Sequence, residues 1–160
     1  MIKQNPDSIG YVKPNRDVAL IDELRSVCSE SACVEFKQNI TDPSIIGTLC
    51  SALSNSARIE EKEVAYVLWG IEDNSHNITG TTFNPDAHKV GNQGLQIWLA
   101  KMLNPGIAFS FRTVNHLDGK VVILEIPATT SAPIEFMGTA YCRIGTLHRN
   151  SLTIRSGFKN

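Results

Sequence analysis

A chain of 160 residues is long enough to bury most of its apolar surface in one domain and leaves little for a second. Its hydrophobic fraction of 42% and charged fraction of 19% are those of a globular protein, and a formal net charge of −1 supplies no bulk positive charge to drive nucleic-acid binding. No apolar run reaches the roughly 20 residues that cross a bilayer, and the polar stretch 1–8 lacks a signal-type apolar core, so a cytoplasmic protein with no membrane partner is expected.

Residues 1–16 carry two prolines and several polar side chains and read as a lead-in to a single domain over 17–160. Asp17 is expected to cap a first helix whose apolar stripe is Val18, Ile21, Leu24 and Cys28. The alternation Cys33-Val34-Glu35-Phe36-Lys37 predicts a strand, because side chains two apart share a face. Asp42-Pro43 starts a second helix, since aspartate accepts from free N–H groups and proline suits the first turn. Its apolar face is Ile45, Ile46, Leu49, Cys50 and Leu53, ending near Ser56. Glu60, Glu61 and Glu63 mark a solvated connector to a buried strand over 64–71, followed by the turn-rich run 73–80. A third helix is predicted over 90–103, with Leu95, Trp98, Leu99 and Met102 inward and Asn104-Pro105 as its stop. Ile107, Phe109 and Phe111 alternate as a strand, Asp118-Gly119 turns the chain into a strand over 121–126, and 140–144 is a last strand. The order implies an α+β fold, with about three helices packed on one mixed, mostly antiparallel sheet.

Chemistry concentrates around one strand. On the strand 33–37, Val34 and Phe36 point one way, while Glu35 and Lys37 project side by side from the other face. If this strand neighbours 64–71, then Glu30, Glu35 and Asp73 converge, and three carboxylates with one cation suit a hard divalent metal and phosphate chemistry. The plainer alternative makes Glu30 a helix end, Glu35–Lys37 a surface ion pair worth at most about 1 kcal/mol, and Asp73 a turn residue. From Met137 onward the chain holds no acid but has Arg143, His148, Arg149, Arg155 and Lys159, a phosphate-facing surface or an ordinary run of exposed cations. Arg143 suits either a structural carboxylate or a phosphate, with Gly145 permitting close backbone approach. His148 is either a proton donor or a plain surface residue.

Other residues take structural readings. Cys28, Cys33, Cys50 and Cys142 match no zinc spacing and read as reduced thiols, so no zinc is expected. No Gly-x4-Gly-Lys-Ser/Thr segment occurs, and no nucleotide cofactor is expected. Trp69 and Trp98 are core residues, Asn55 is a helix cap, and Gly91-Asn92-Gln93-Gly94 is a weak candidate anion nest.

The order of these pieces resembles the Schlafen-type AlbA domain family. The matching segments are Glu30-Ser31-x-x-Val34-Glu35-Phe36-Lys37, Ser51-Ala52-x-x-Asn55, Trp69-Gly70-Ile71-Glu72-Asp73, Thr79-Gly80, Pro105, the strand 121–126, Pro133 and Tyr141-x-Arg143-x-Gly145. They span about residues 17–150. The resemblance implies a nucleic-acid-binding domain, for RNA or DNA, that contacts phosphates through Lys37, Arg143, His148, Arg149 and Arg155. In Schlafen ribonucleases two glutamates and an aspartate build a metal site. Carried over, Glu30, Glu35 and Asp73 would hold Mg²⁺ or Mn²⁺ beside Lys37 in an endoribonuclease acting on tRNA or rRNA. A third expectation is a non-enzymatic dimerisation or interaction module. Schlafen nuclease regions form one groove from two related lobes, so a single copy of this size implies a homodimer. One departure stands out: the family's glycine pair after the Asn55 position is replaced by the stretch 56–63, which has no glycine. A loop is therefore expected in place of a tight helix-to-strand turn, without glycine backbone to touch a phosphate.

Overall fold

The computed structural model describes residues 15–27 and 33–143. Within them lie three helices, α1 (Asn15–Val27), α2 (Pro43–Ile59) and α3 (Leu95–Met102). The strands are β1 (Val34–Lys37), β2 (Val64–Trp69), β3 (Lys89–Val90), β4 (Gln93–Gly94), β5 (Leu103–Asn104), β6 (Ser110–His116), β7 (Gly119–Pro127), β8 (Glu135–Phe136) and β9 (Thr139–Ala140). The main sheet runs β1-β2-β7-β6. Only β1 and β2 are parallel, joined by α2 as a crossover, while β7 is antiparallel to both β2 and β6. The fold is α+β with a mixed, mostly antiparallel sheet, as expected.

Helices cover both faces of this sheet, which explains why β7 reads as a continuous apolar run rather than an alternating one. On one face Val67, Trp69, Val122, Leu124 and Ile126 pack with Ile46, Cys50 and Leu53 of α2 and Leu95 and Leu99 of α3. On the other, Val34, Phe36, Leu68, Val121 and Ile123 pack with Ile21 of α1. β1 and β6 are the two edges, and β5, β8 and β9 form a separate small sheet. Among the described residues no helix is long and apolar enough to cross a membrane.

Several local expectations shift. α1 begins at Asn15, so Asp17 lies inside its first turn and pairs with Arg112 of β6 at 2.9 Å instead of capping. Asp42 does cap α2, accepting from Ser44 N at 2.8 Å, but Ile45 is 39% exposed and the apolar face starts at Ile46. α2 also runs on to Ile59 and closes without a loop. Lys62 N donates to Ala57 O at 2.8 Å and Glu61 N to Arg58 O at 3.1 Å, with Glu61 at φ 61°. That is the Schellman closure, in which one left-handed residue satisfies the last helical carbonyls. The tight turn is kept, with glutamate where glycine is usual.

Before α3, the stretch 89–94 is a β-hairpin turned at Gly91 (φ 64°), and Leu95 N donates to His88 O at 2.8 Å. The third helix therefore starts at Leu95, and the glycine-flanked segment is a turn rather than a nest. The strand expected from Ile107 starts at Ser110; of the one expected over 140–144, Ala140 lies in β9 and residues 141–143 are not in a strand. Tyr141 and Arg143 lie outside the sheet, and their backbone partners come from side chains of α2.

Candidate functional site

Glu35 and Lys37 lie on β1 in the orientation that strand alternation demands. Val34 and Phe36 enter the core beneath α1, so Glu35 and Lys37 face the α2 side, aligned with Val67 and Trp69 of β2. Because β1 is an edge strand, their flank is not covered by a further strand of the sheet. Lys37 Nζ stands 3.1 Å from Glu35 Oε2, and the Arg143 guanidinium donates through Nη2 to Glu35 Oε1. The carboxylate thus holds one cation on each oxygen. All three side chains are largely enclosed, at 12% exposure for Glu35, 18% for Lys37 and 12% for Arg143. These three charges lie in surroundings where charge is screened less than on open surface.

Arg143 reaches Glu35 from 108 residues away because α2 holds its backbone. Ser56 Oγ accepts from Arg143 N at 2.8 Å. One turn earlier, Ser51 Oγ donates to Ile134 O at 2.7 Å and accepts from Tyr141 N at 3.0 Å. Asn55 bonds to both segments, donating to Ile134 O at 3.0 Å and Tyr141 O at 2.8 Å and accepting from Ile134 N at 2.8 Å. Ser54 Oγ donates to Pro127 O at 2.8 Å. Buried polar side chains must find partners, and here the partners are the main chain of 127–143. Asn55 is therefore neither a cap nor a ligand but a clasp. From the sequence, Ser51 and Asn55 stand out only as part of the resemblance and Asn55 as a cap, and Ser54 and Ser56 not at all, although Ser51, Ser54 and Asn55 at i, i+3 and i+4 on an otherwise apolar helix form a buried polar stripe.

The other carboxylates stand differently. Gly70 N and Ile71 N donate to Lys37 O at 2.8 and 3.1 Å, which fixes the exit of β2 beside the end of β1. Gly70 is needed there: its φ is 102°, and an added Cβ would lie 2.6 Å from Lys120 O. Asp73 follows as an exposed residue of the turn 72–77. That turn is tied to the α1 side, since Arg25 Nε donates to His76 O at 2.9 Å and the His76 ring lies 4.5 Å from that of Phe36. Phe36 and Glu35 occupy opposite faces of β1, so the described contacts gather Glu35, Lys37 and Arg143 and leave Asp73 on a separate turn. Glu30, His148, Arg149 and Arg155 lie outside the described residues, as do Cys28, Gly145 and Lys159. Among the described residues no three His, Cys, Asp or Glu side chains are grouped to hold a metal ion. As placed, each Glu35 oxygen holds one cation, and a metal there would share the carboxylate with Lys37 and Arg143.

Cys33, Cys50 and Cys142 are buried. Burial pushes the Cys50 thiol up to about 12 and raises Cys33 and Cys142 as well, the opposite of what nucleophilic or metal-binding thiols need.

Comparison with known proteins adds the following. The sequence profile described as Schlafen, AlbA_2 matches residues 30–151. No curated protein sequence matches the chain. Among solved structures, the DIP2311 protein of Corynebacterium diphtheriae is similar at 16% identity and a TM-score of 0.51, over 80% of this chain. The chain spans only 25% of that protein's length, and the likeness is one of fold. The N-terminal domain of a RecG-related protein from Nitrosomonas europaea aligns at 20% identity and a TM-score of 0.45, over 86% of this chain and 94% of that domain.

Proposed function

The chain belongs to the Schlafen AlbA_2 family, and from that membership we propose that it is a nucleic-acid-binding domain that contacts backbone phosphates through Lys37 and Arg143. The observation that carries this reading is the pair of cations fixed on either side of Glu35 at the flank of an edge strand. A lysine supplies a point charge and an arginine a planar fork, the two groups that suit phosphate oxygens. His148, Arg149 and Arg155, which follow Arg143 in sequence, are proposed as further phosphate contacts. Contacts of this kind position a nucleic acid without reading its bases, so RNA and DNA are both substrates for the first test. A two-fold homodimer would double the surface, and light scattering on the eluting protein reads that part of the proposal.

The alternative family activity, metal-dependent cleavage of RNA, requires Glu35 to join Glu30 and Asp73 on Mg²⁺ or Mn²⁺. One experiment addresses both readings. The protein is incubated with tRNA and with single-stranded DNA, with and without Mn²⁺ or Mg²⁺, beside Glu35→Ala. Salt-sensitive retention without cleavage supports the binding domain. Metal-dependent cleavage lost in the variant replaces it with the nuclease, and no retention at low salt removes it.

A further inference from the structure

Glu35 lies between the two cations, Lys37 and Arg143. Its two oxygens take the two cations that the phosphate reading assigns to the ligand, one from Lys37 and one from Arg143. A carboxylate and a phosphodiester both offer two anionic oxygens on one centre, so each satisfies the same pair of donors. We propose that Glu35 is a resident competitor for the phosphate-binding cations, displaced only by a ligand that presents several phosphates at once. The proposal rests on the phosphate-contact reading of Lys37 and Arg143 given above.

The reasoning is one of effective concentration. Glu35 shares its strand with Lys37 and stands across from an arginine whose backbone is pinned to α2. Its local concentration at the two cations is therefore on the order of millimolar or higher, the range of short tethers. A single free phosphate competes poorly against such a partner. A polymer does not face the same limit, because a neighbouring phosphate held by any other contact raises its own effective concentration. The enclosure of all three side chains sharpens the exchange. Cations removed from water cost free energy when left unpaired, so they pass from carboxylate to phosphate rather than standing alone. The arrangement would let the domain ignore inorganic phosphate and mononucleotides while holding a polynucleotide.

Replacing Glu35 by glutamine keeps the shape and removes the competing charge. With Glu35→Gln, inorganic phosphate added at constant ionic strength should raise the thermal midpoint, whereas the wild-type midpoint should stay level. A fluorescent single-stranded oligonucleotide should bind the variant about three- to tenfold more tightly, and its log K against log salt should steepen by about one unit. Equal or weaker oligonucleotide binding, together with no response to phosphate, overturns the proposal. Should the variant fail to fold, the wild-type protein supplies the readout. The Glu35 Cδ carbon-13 resonance should move as the oligonucleotide saturates the site, and an unmoved resonance in a saturated complex overturns the exchange. Failure of the underlying reading looks different: neither protein then binds the oligonucleotide at all.

Discussion

Asn55 holds Ile134 as an adjacent strand would, donating to its carbonyl at 3.0 Å and accepting from its amide at 2.8 Å. A third bond runs from the same side-chain amide to Tyr141 O at 2.8 Å, and Asn55 is fully buried. One side chain thereby substitutes for a missing β-ladder and fixes the segment that leads to Arg143. Asn55→Ala should strand these main-chain groups at about 1–3 kcal/mol each, partly relieved by water, for a net loss of about 3 kcal/mol. Urea unfolding measures it, and the Ile134 amide should lose protection from hydrogen exchange. A loss under about 1 kcal/mol would mean the clasp contributes little.

The helix-ending turn gives a prediction of the opposite sign. Glu61 occupies φ 61°, a conformation that costs an L-residue other than glycine about 1 kcal/mol or more. Glu61→Gly should raise stability by about 1 kcal/mol, less a few tenths for the greater freedom of glycine in the unfolded chain. An unchanged or lowered urea midpoint would contradict the assignment.

Acid should weaken the contact between α1 and β6. Partial burial acts to raise the Asp22 pKa, but hydrogen bonds from His116 at 2.9 Å and Arg25 at 2.8 Å outweigh it and hold the carboxyl below its usual value. A folded pKa below the unfolded one means the stabilisation is present above about pH 4 and is lost as pH falls through the folded value. Asp22→Asn should therefore be less stable than wild type at pH 6, by under about 1 kcal/mol because the carboxylate is half exposed, with the gap closing near pH 3. A difference independent of pH would rule this out.

Thiol reactivity tests the burial of the core. Cys50 is raised to about 12 and fully buried, and Cys33 and Cys142 are also raised. At pH 8 a disulfide reagent should modify these three only after denaturation, followed residue by residue with mass spectrometry. Fast labelling of Cys50 in the native protein would show that α2 opens readily.

The parts of the fold that were legible in the sequence are those set by local chemistry. The alternation at 33–37 places Glu35 and Lys37 on one face, Asp42-Pro43 starts α2, and Asp118-Gly119 marks the β6–β7 hairpin. Period two also brought together the first two members of the charged row. The third member was weighed between phosphate and a structural carboxylate, and what decides its partner lies far away. Arg143 meets Glu35 only because Ser56 and Asn55 bind a backbone some 79 to 87 residues distant, and no local pattern announces such pairs. The closing turn of α2 was hidden for another reason. Its left-handed residue is Glu61, and the usual signal, glycine, is absent. The hairpin at Gly91 was hidden because a helix-like apolar spacing at Leu95, Trp98, Leu99 and Met102 continues smoothly into it.

The row Lys37–Glu35–Arg143 as a phosphate contact is most directly tested by the salt dependence of oligonucleotide binding in wild type and Lys37→Ala. Anisotropy with a labelled single strand, between about 50 and 200 mM salt, gives both slopes. The account predicts that wild-type affinity falls with salt, and that the variant binds more weakly on every sequence with a slope shallower by about one unit. Identical slopes and affinities for the two proteins would contradict it.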